Sequence, residues 1–179
     1  LAVQDMVLIA VFTAIMAICS WISVSAGPVP FTLQTFAVFV TAALLGTKRG
    51  TIAVVVYILL GIIGVPVFAG LTGGPSVIAG PTGGFIVGFI LTAIIIGLLM
   101  YLTNGKSEVV KLVITVVAMI LGDVACFAIG TVWFMVVTNN TVAVALTYCV
   151  IPYIIPDIAK IVVATIIANR VKKYVQIFN

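Results

Sequence analysis

An all-α membrane protein with six transmembrane helices and both termini cytoplasmic is the fold this sequence predicts. Three observations predict it. Hydrophobic residues make up 64% of the 179-residue chain and charged residues 7%, where a soluble domain carries about 25% charged residues. Long apolar segments succeed one another along the chain. The basic residues gather in alternate connections, as cytoplasmic loops do. A water-facing surface cannot be built from this composition, so residues 1–179 are read as one integral membrane domain within the lipid bilayer.

The first helix is expected over residues 2–24, too long and too closely followed by further spans for a cleaved signal peptide. A loop at 25–30 carries Pro28 and Pro30. The second helix, 33–45, ends at Gly46-Thr47-Lys48-Arg49. It is short of the ~20 residues that ~30 Å of hydrocarbon requires, so protein must shield it or ordered loop must continue it. The third helix runs over 50–65, followed by a glycine-rich loop at 66–81. The fourth is expected over 82–102 and the fifth over 108–137, with the turn Asn104-Gly105-Lys106-Ser107 between them. After Asn139-Asn140, which with Thr141 forms a weak glycosylation sequon, the sixth runs over 141–175. Pro152 or Pro156 should bend it.

Charge sets the orientation. Lys48 and Arg49, Lys106 and Lys111, and Arg170, Lys172 and Lys173 all fall on one side of a six-span chain. The opposite loops, 25–32, 66–81 and 138–141, carry no charge. The basic side is therefore cytoplasmic. Lys160 lies outside this pattern and needs another explanation.

Asp157 and Lys160 stand three residues apart inside the last apolar segment, which places them on one helix face. Each charge in hydrocarbon costs roughly 2.5–3.5 kcal/mol on insertion scales. By rise per residue, Asp157 lies ~20 Å and Lys160 ~15 Å from the basic side, and Asp123 on the fifth helix ~18 Å. Three charges on two helices thus converge at one level, a polar pocket nearer the neutral loops. Asp157 and Lys160 can pair within their helix, or Asp123 can pair with Lys160 across helices. Two acids against one base suit a ligand bearing N–H donors and a carboxylate.

Two loop motifs extend the candidate site. Thr82, Gly83 and Gly84 open the fourth helix after a glycine-rich run. A helix start offers unpaired N–H groups, and glycine admits a ligand close to the backbone. The same residues also describe a flexible loop with a helix start. Thr32 and Gln34 open the second helix. Thr32 suits an N-cap and Gln34 a hydrogen bond to a neighbouring helix. Phe31, Phe68, Phe85, Trp133 and Tyr153 are aromatic candidates for the pocket wall.

On the first helix, Ala10, Ala14 and Ala17 form a small-residue stripe suited to close packing, within the chain or against a partner protein. Several functions are excluded or made remote. The few charges rule out a nucleic-acid surface. With no histidine, and with Cys19, Cys126 and Cys149 scattered in apolar segments, a metal centre has no ligand set and no cofactor is expected. Gly105-Lys106-Ser107 lacks the earlier glycine of a phosphate loop, since Met100 stands there. An intramembrane enzyme using Asp123 and Asp157 lacks flanking dyad motifs, and a channel lacks a polar stripe.

Pro30-Phe31-Thr32-Leu33-Gln34-Thr35-Phe36, Gly80-Pro81-Thr82-Gly83-Gly84-Phe85, Gly122-Asp123-Val124 and Pro156-Asp157-Ile158-Ala159-Lys160 together resemble the BioY family, the biotin-specific S components of energy-coupling factor transporters. The resemblance covers essentially the whole chain. It implies the S-component fold in the cell membrane of a bacterium, no enzymatic activity, and biotin captured from outside. It implies a transmembrane coupling subunit and two cytoplasmic ATPases as partners, docked along Ala10, Ala14 and Ala17. It also implies Asp157 accepting a ureido N–H and Lys160 donating to the ureido oxygen or the carboxylate. Thr82, Gly83 and Gly84 then meet the other polar end, with Asp123, Gln34 and Thr32 in support. An S component for another small vitamin is the competing reading.

Overall fold

The computed structural model describes residues 2–25 and 27–175, with side chains through residue 172; Ala26 and the Lys173 side chain lie outside the described residues. α1 (Val3–Trp21) ends short of its predicted limit because Ile22 leaves helical geometry. Ser23–Val24 (β1) then pairs antiparallel with Phe31–Thr32 (β2), so among the described residues the fold is all-α save for this two-residue ribbon and a single bridge between Phe68 and Thr72. Pro28 and Pro30, with fixed φ and no N–H, keep the returning strand from joining a helix.

α2 (Gln34–Ile62) is two limbs. Gly46 has φ 71° and ψ −172°, a conformation open to glycine, and the chain reverses there. Gln34 meets Tyr57, and a Cβ at Gly50 would lie 3.1 Å from the Cα of Ala42. Limbs 34–45 and 47–62 are therefore antiparallel, and the second begins three residues earlier than predicted. The first limb is the centre of the protein: Ala37, Val38, Phe39, Ala42 and Ala43 are all buried. That enclosure is what lets so short a helix lie at membrane depth.

The 66–81 loop is not structureless. It holds a 3-10 turn, Ala69–Leu71, and a short helix, α3 (Pro75–Ala79), with Pro75 at its first turn. α4 (Gly83–Met100) continues as a 3-10 turn through Thr103. α5 (Glu108–Thr138) stops at Asn139, whose left-handed φ of 54° closes the helix. The two lie antiparallel, tied where Thr92 Oγ1 donates to the Gly122 carbonyl at 2.8 Å.

The predicted sixth helix is broken. α6 (Val142–Cys149) gives way to a 3-10 turn, Ile151–Tyr153, and then α7 (Ile154–Val175). Pro152 lacks the N–H that would continue α6 and crowds the preceding turn. Pro156 is harmless, since it lies in the first turn of α7 where N–H groups have no helical acceptor. Among the described residues, five helices are long and apolar enough to cross a membrane, α6 and α7 counting as one. The six predicted segments map onto these five because α2 is doubled back at Gly46.

One end of the bundle carries the ion pairs Arg49–Asp5 and Lys111–Glu108, and Lys172 bonded to Thr103. The 66–81 loop closes the other end, where the Ser20 hydroxyl donates to Val67 and the Trp21 indole to Pro66.

Candidate functional site

A cavity of about 120 Å³ opens among the first limb of α2, the 66–81 loop, α4, α5 and the break before α7. Asp157, Lys160, Gln34, Thr35, Thr32, Thr72 and Thr82 contribute to its polar lining. Phe68, Phe85, Phe89, Phe127 and Tyr153 supply the aromatic wall. The break at residues 150–153 builds the site directly. It turns Tyr153 so that its hydroxyl donates to the Val29 carbonyl at 2.5 Å, pinning the proline loop over the cavity.

Lys160 Nζ lies 2.7 Å from Asp157 Oδ1, with side chains 6% and 4% exposed. Of the two pairings open in the sequence, the intrahelical one is formed. The lysine's aligned hydrogen bond goes to Thr35 Oγ1 at 2.9 Å, and its ammonium sits 4.4 Å from the centroid of the Phe31 ring. The ammonium meets Asp157 Oδ1 as a close ion pair, and no other donor reaches that oxygen among the described residues. An ionised carboxylate has about four lone-pair sites, so beside the cavity Asp157 keeps accepting capacity beyond the lysine. Asp123, buried on α5, lies within Coulombic reach of both charges but does not line the cavity.

Gln34 is oriented by a relay. Its Nε2 donates to the Tyr57 hydroxyl at 2.5 Å, and that hydroxyl donates to the Val67 carbonyl at 2.8 Å. Tyrosine has one proton, so Gln34 must be the donor of the pair. Its amide oxygen is thereby freed, on a residue that lines the cavity. Leu33 rather than Thr32 is the N-cap of α2, while the Thr32 hydroxyl accepts from the Gln34 backbone N–H at 3.2 Å.

Thr82 caps α4 and lines the cavity, but Gly83 and Gly84 do not line it. A Cβ at Gly83 would run into the Ile78 carbonyl, and one at Gly84 into Trp133. The two glycines pack α4 against α3 and α5, a close approach that glycine alone permits. The Gly83 N–H is also taken, donating to Gly80 at 3.1 Å. Phe31 lies outside the lining but stacks on Tyr153, with centroids 6.3 Å apart. Trp133 points away, donating to the Gly80 carbonyl.

The sequence reading missed Thr35, Phe89 and Phe127. Phe127 stands four residues after Asp123, hence on the same face of α5, a signal that was there to be used. Thr35 carries no signal beyond its place beside Gln34. On α1, Ala10 and Ala14 are exposed while Ala17 is buried. The stripe therefore does not extend to Ala17, which lies where the 66–81 loop is bonded to Ser20 and Trp21.

Comparison with known proteins gives one consistent picture. The family model described as BioY family matches residues 1–177. Over 171 residues the chain is 41% identical to the biotin transporter BioY of Thermotoga maritima, covering 91% of this chain and 92% of that one. Over 169 residues it is 38% identical to a probable biotin transporter BioY of Pyrococcus horikoshii, with coverage of 94% and 96%. A crystal structure of the S-component for biotin from an ECF-type ABC transporter superposes with a TM-score of 0.85 and 27% identity, covering 96% of this chain and 92% of that one.

Proposed function

The chain belongs to the BioY family, and from that membership we infer that it is a biotin-capturing S component of an energy-coupling factor transporter, a multi-pass membrane protein rather than an enzyme. The observation that carries the chemistry is the Asp157–Lys160 ion pair, buried in the lining of the cavity, in which Asp157 Oδ1 has the lysine as its only close partner among the described residues. Biotin offers what this site lacks. Its ureido ring has two N–H donors and a carbonyl, its sulfur ring and chain are apolar, and its tail is a carboxylate.

Asp157 accepts a ureido N–H in this reading, and the freed amide oxygen of Gln34 is placed to accept another. Lys160 donates to the ureido oxygen or to the carboxylate. Thr35 and Phe31 hold its ammonium near that position in advance, which lowers the ordering cost of binding. The aromatic wall packs on the apolar rings, Asp123 biases the field at Lys160, and Thr82 and Thr32 complete the polar rim. The basic end faces the cytoplasm of a bacterial cell and the cavity faces outward. Ala10 and Ala14 meet a transmembrane coupling subunit, and two cytoplasmic ATPases supply the energy, in keeping with the lack of a phosphate-loop motif in this chain.

Isothermal titration of the purified protein with biotin and with a tail-amidated analogue tests the assignment. Tight binding of both places Lys160 at the ureido end. Tight binding of biotin alone makes the carboxylate the lysine's partner. Binding of neither overturns the biotin reading.

A further inference from the structure

A second concavity, of about 520 Å³, lies at the basic end of the bundle, away from the biotin cavity. The reversal at Gly46 forms its floor. Gly97 of α4 packs so closely there that a Cβ would strike the backbone of Thr47. The start of α1, the end of α4 with its Tyr101–Thr103 turn, and Lys172 of α7 form its walls.

Among the described residues, three bases, Lys48, Arg49 and Lys172, line this cleft against one acid, Asp5. The acid is already committed. Its Oδ1 is 2.7 Å from Arg49 Nε, and its Oδ2 accepts from the Ala2 N–H at 3.1 Å. The net positive charge is thus carried by Lys48 and Lys172. Lys172 is held in place by a 2.9 Å hydrogen bond to Thr103 Oγ1. The Thr47 hydroxyl, also in the lining, is buried with no hydrogen-bond partner among the described residues. Ammonium groups and a spare hydroxyl around one hollow suit an oxyanion with several acceptor oxygens, as a phosphoryl group has.

The surroundings choose the source of that group. Leu98, Tyr101 and Leu102, on and just beyond α4 beside the cleft, are 55%, 68% and 57% exposed. The hollow is therefore continuous with an apolar flank, and tyrosine and lysine together mark the headgroup level of a membrane. We propose that this cleft binds the phosphodiester headgroup of an anionic phospholipid, with Lys48, Lys172 and Thr47 on the phosphate and the acyl chains along Leu98 and Leu102. The bound lipid ties the turn of α2 to the ends of α4 and α7.

Thermal unfolding of the full chain in detergent, without biotin, tests this. Phosphatidylglycerol at about tenfold its dissociation constant raises Tm by roughly 3–5 °C, and phosphatidylcholine does not. The K48Q/K172Q double variant loses the rise, while K106Q, which removes a base outside the cleft, keeps it. An equal rise with phosphatidylcholine, a rise that survives K48Q/K172Q, or an equal loss in K106Q overturns the proposal. Millimolar inorganic phosphate reproducing the rise without lipid also overturns it, naming a free anion as the ligand. Should the double variant fail to fold, native mass spectrometry of the wild-type chain decides. Phosphatidylglycerol adducts at least tenfold over phosphatidylcholine from an equimolar mixture support the site, and equal adducts reject it.

Discussion

Gln34 Nε2 donates to the Tyr57 hydroxyl at 2.5 Å, joining the two limbs of α2 at the level of the cavity. The Tyr57 proton continues to the Val67 carbonyl at 2.8 Å, so one relay fixes a lining side chain and the loop above it. Tyr57→Phe leaves the Gln34 amide N–H without its partner in a buried place and removes one of the two donors to the Val67 carbonyl, which keeps the Ser20 hydroxyl. The expected cost is about 1–3 kcal/mol of stability, read from thermal unfolding, with weaker biotin binding as Gln34 loses its orientation. An unchanged Tm and an unchanged affinity would remove the relay from the account.

Lys160 and Asp157 separate stability from binding. Lys160→Met leaves a buried carboxylate unpaired, at a cost of about 3–5 kcal/mol. Replacing both, as Lys160→Met with Asp157→Leu, leaves no buried charge of the pair and recovers most of that loss, since apolar substitutes for a buried ion pair are often neutral or better. Biotin binding stays lost in both variants. A double variant that regains binding would show that the pair is merely structural.

The glycines before and within α4 divide by what surrounds them. Gly83→Ala forces a Cβ into the Ile78 carbonyl and costs about 1–3 kcal/mol, the range for overpacking. Gly27→Ala, at a position with nothing within 4 Å, leaves Tm unchanged. Equal melting temperatures for the two variants would contradict the packing described for α3 and α4.

α1 offers a similar contrast. Ala14 is exposed and Ala17 is buried. Ala14→Trp should leave biotin affinity within about twofold, well under the 1.4 kcal/mol of a tenfold change, while abolishing co-purification with the coupling subunit and its ATPases. Ala17→Trp should instead lower stability, because the core has no room for it. Retained co-purification of the Ala14→Trp protein argues against docking through this face.

The parts of the molecule legible in the sequence are those where a residue is costly in its setting. Asp157 and Lys160 stand out because charge is rare in this chain and dear in hydrocarbon, and both line the cavity. Gly46 with Lys48 and Arg49 marked the reversal of α2, and Pro152 or Pro156 marked a bend that the structure makes a break at residues 150–153. Residues with two equally good uses were not legible. Gly83 and Gly84 signal a close backbone approach, and the sequence does not say whether a ligand or a neighbouring helix makes it; here a helix does. Ala17 shares a helical face with Ala10, but burial changes along that face as the 66–81 loop folds onto the end of α1. Thr35 looks like any threonine in an apolar helix until the tertiary fold brings it to the cavity.

The most direct test of biotin capture through the α7 pair is titration calorimetry of the wild-type protein and Asp157→Asn with biotin, side by side in detergent. The account predicts saturable binding by the wild type and a dissociation constant at least tenfold higher for the variant, about 1.4 kcal/mol. Equal affinities would take Asp157 out of the site, and a folded wild-type protein with no biotin binding would contradict the account altogether.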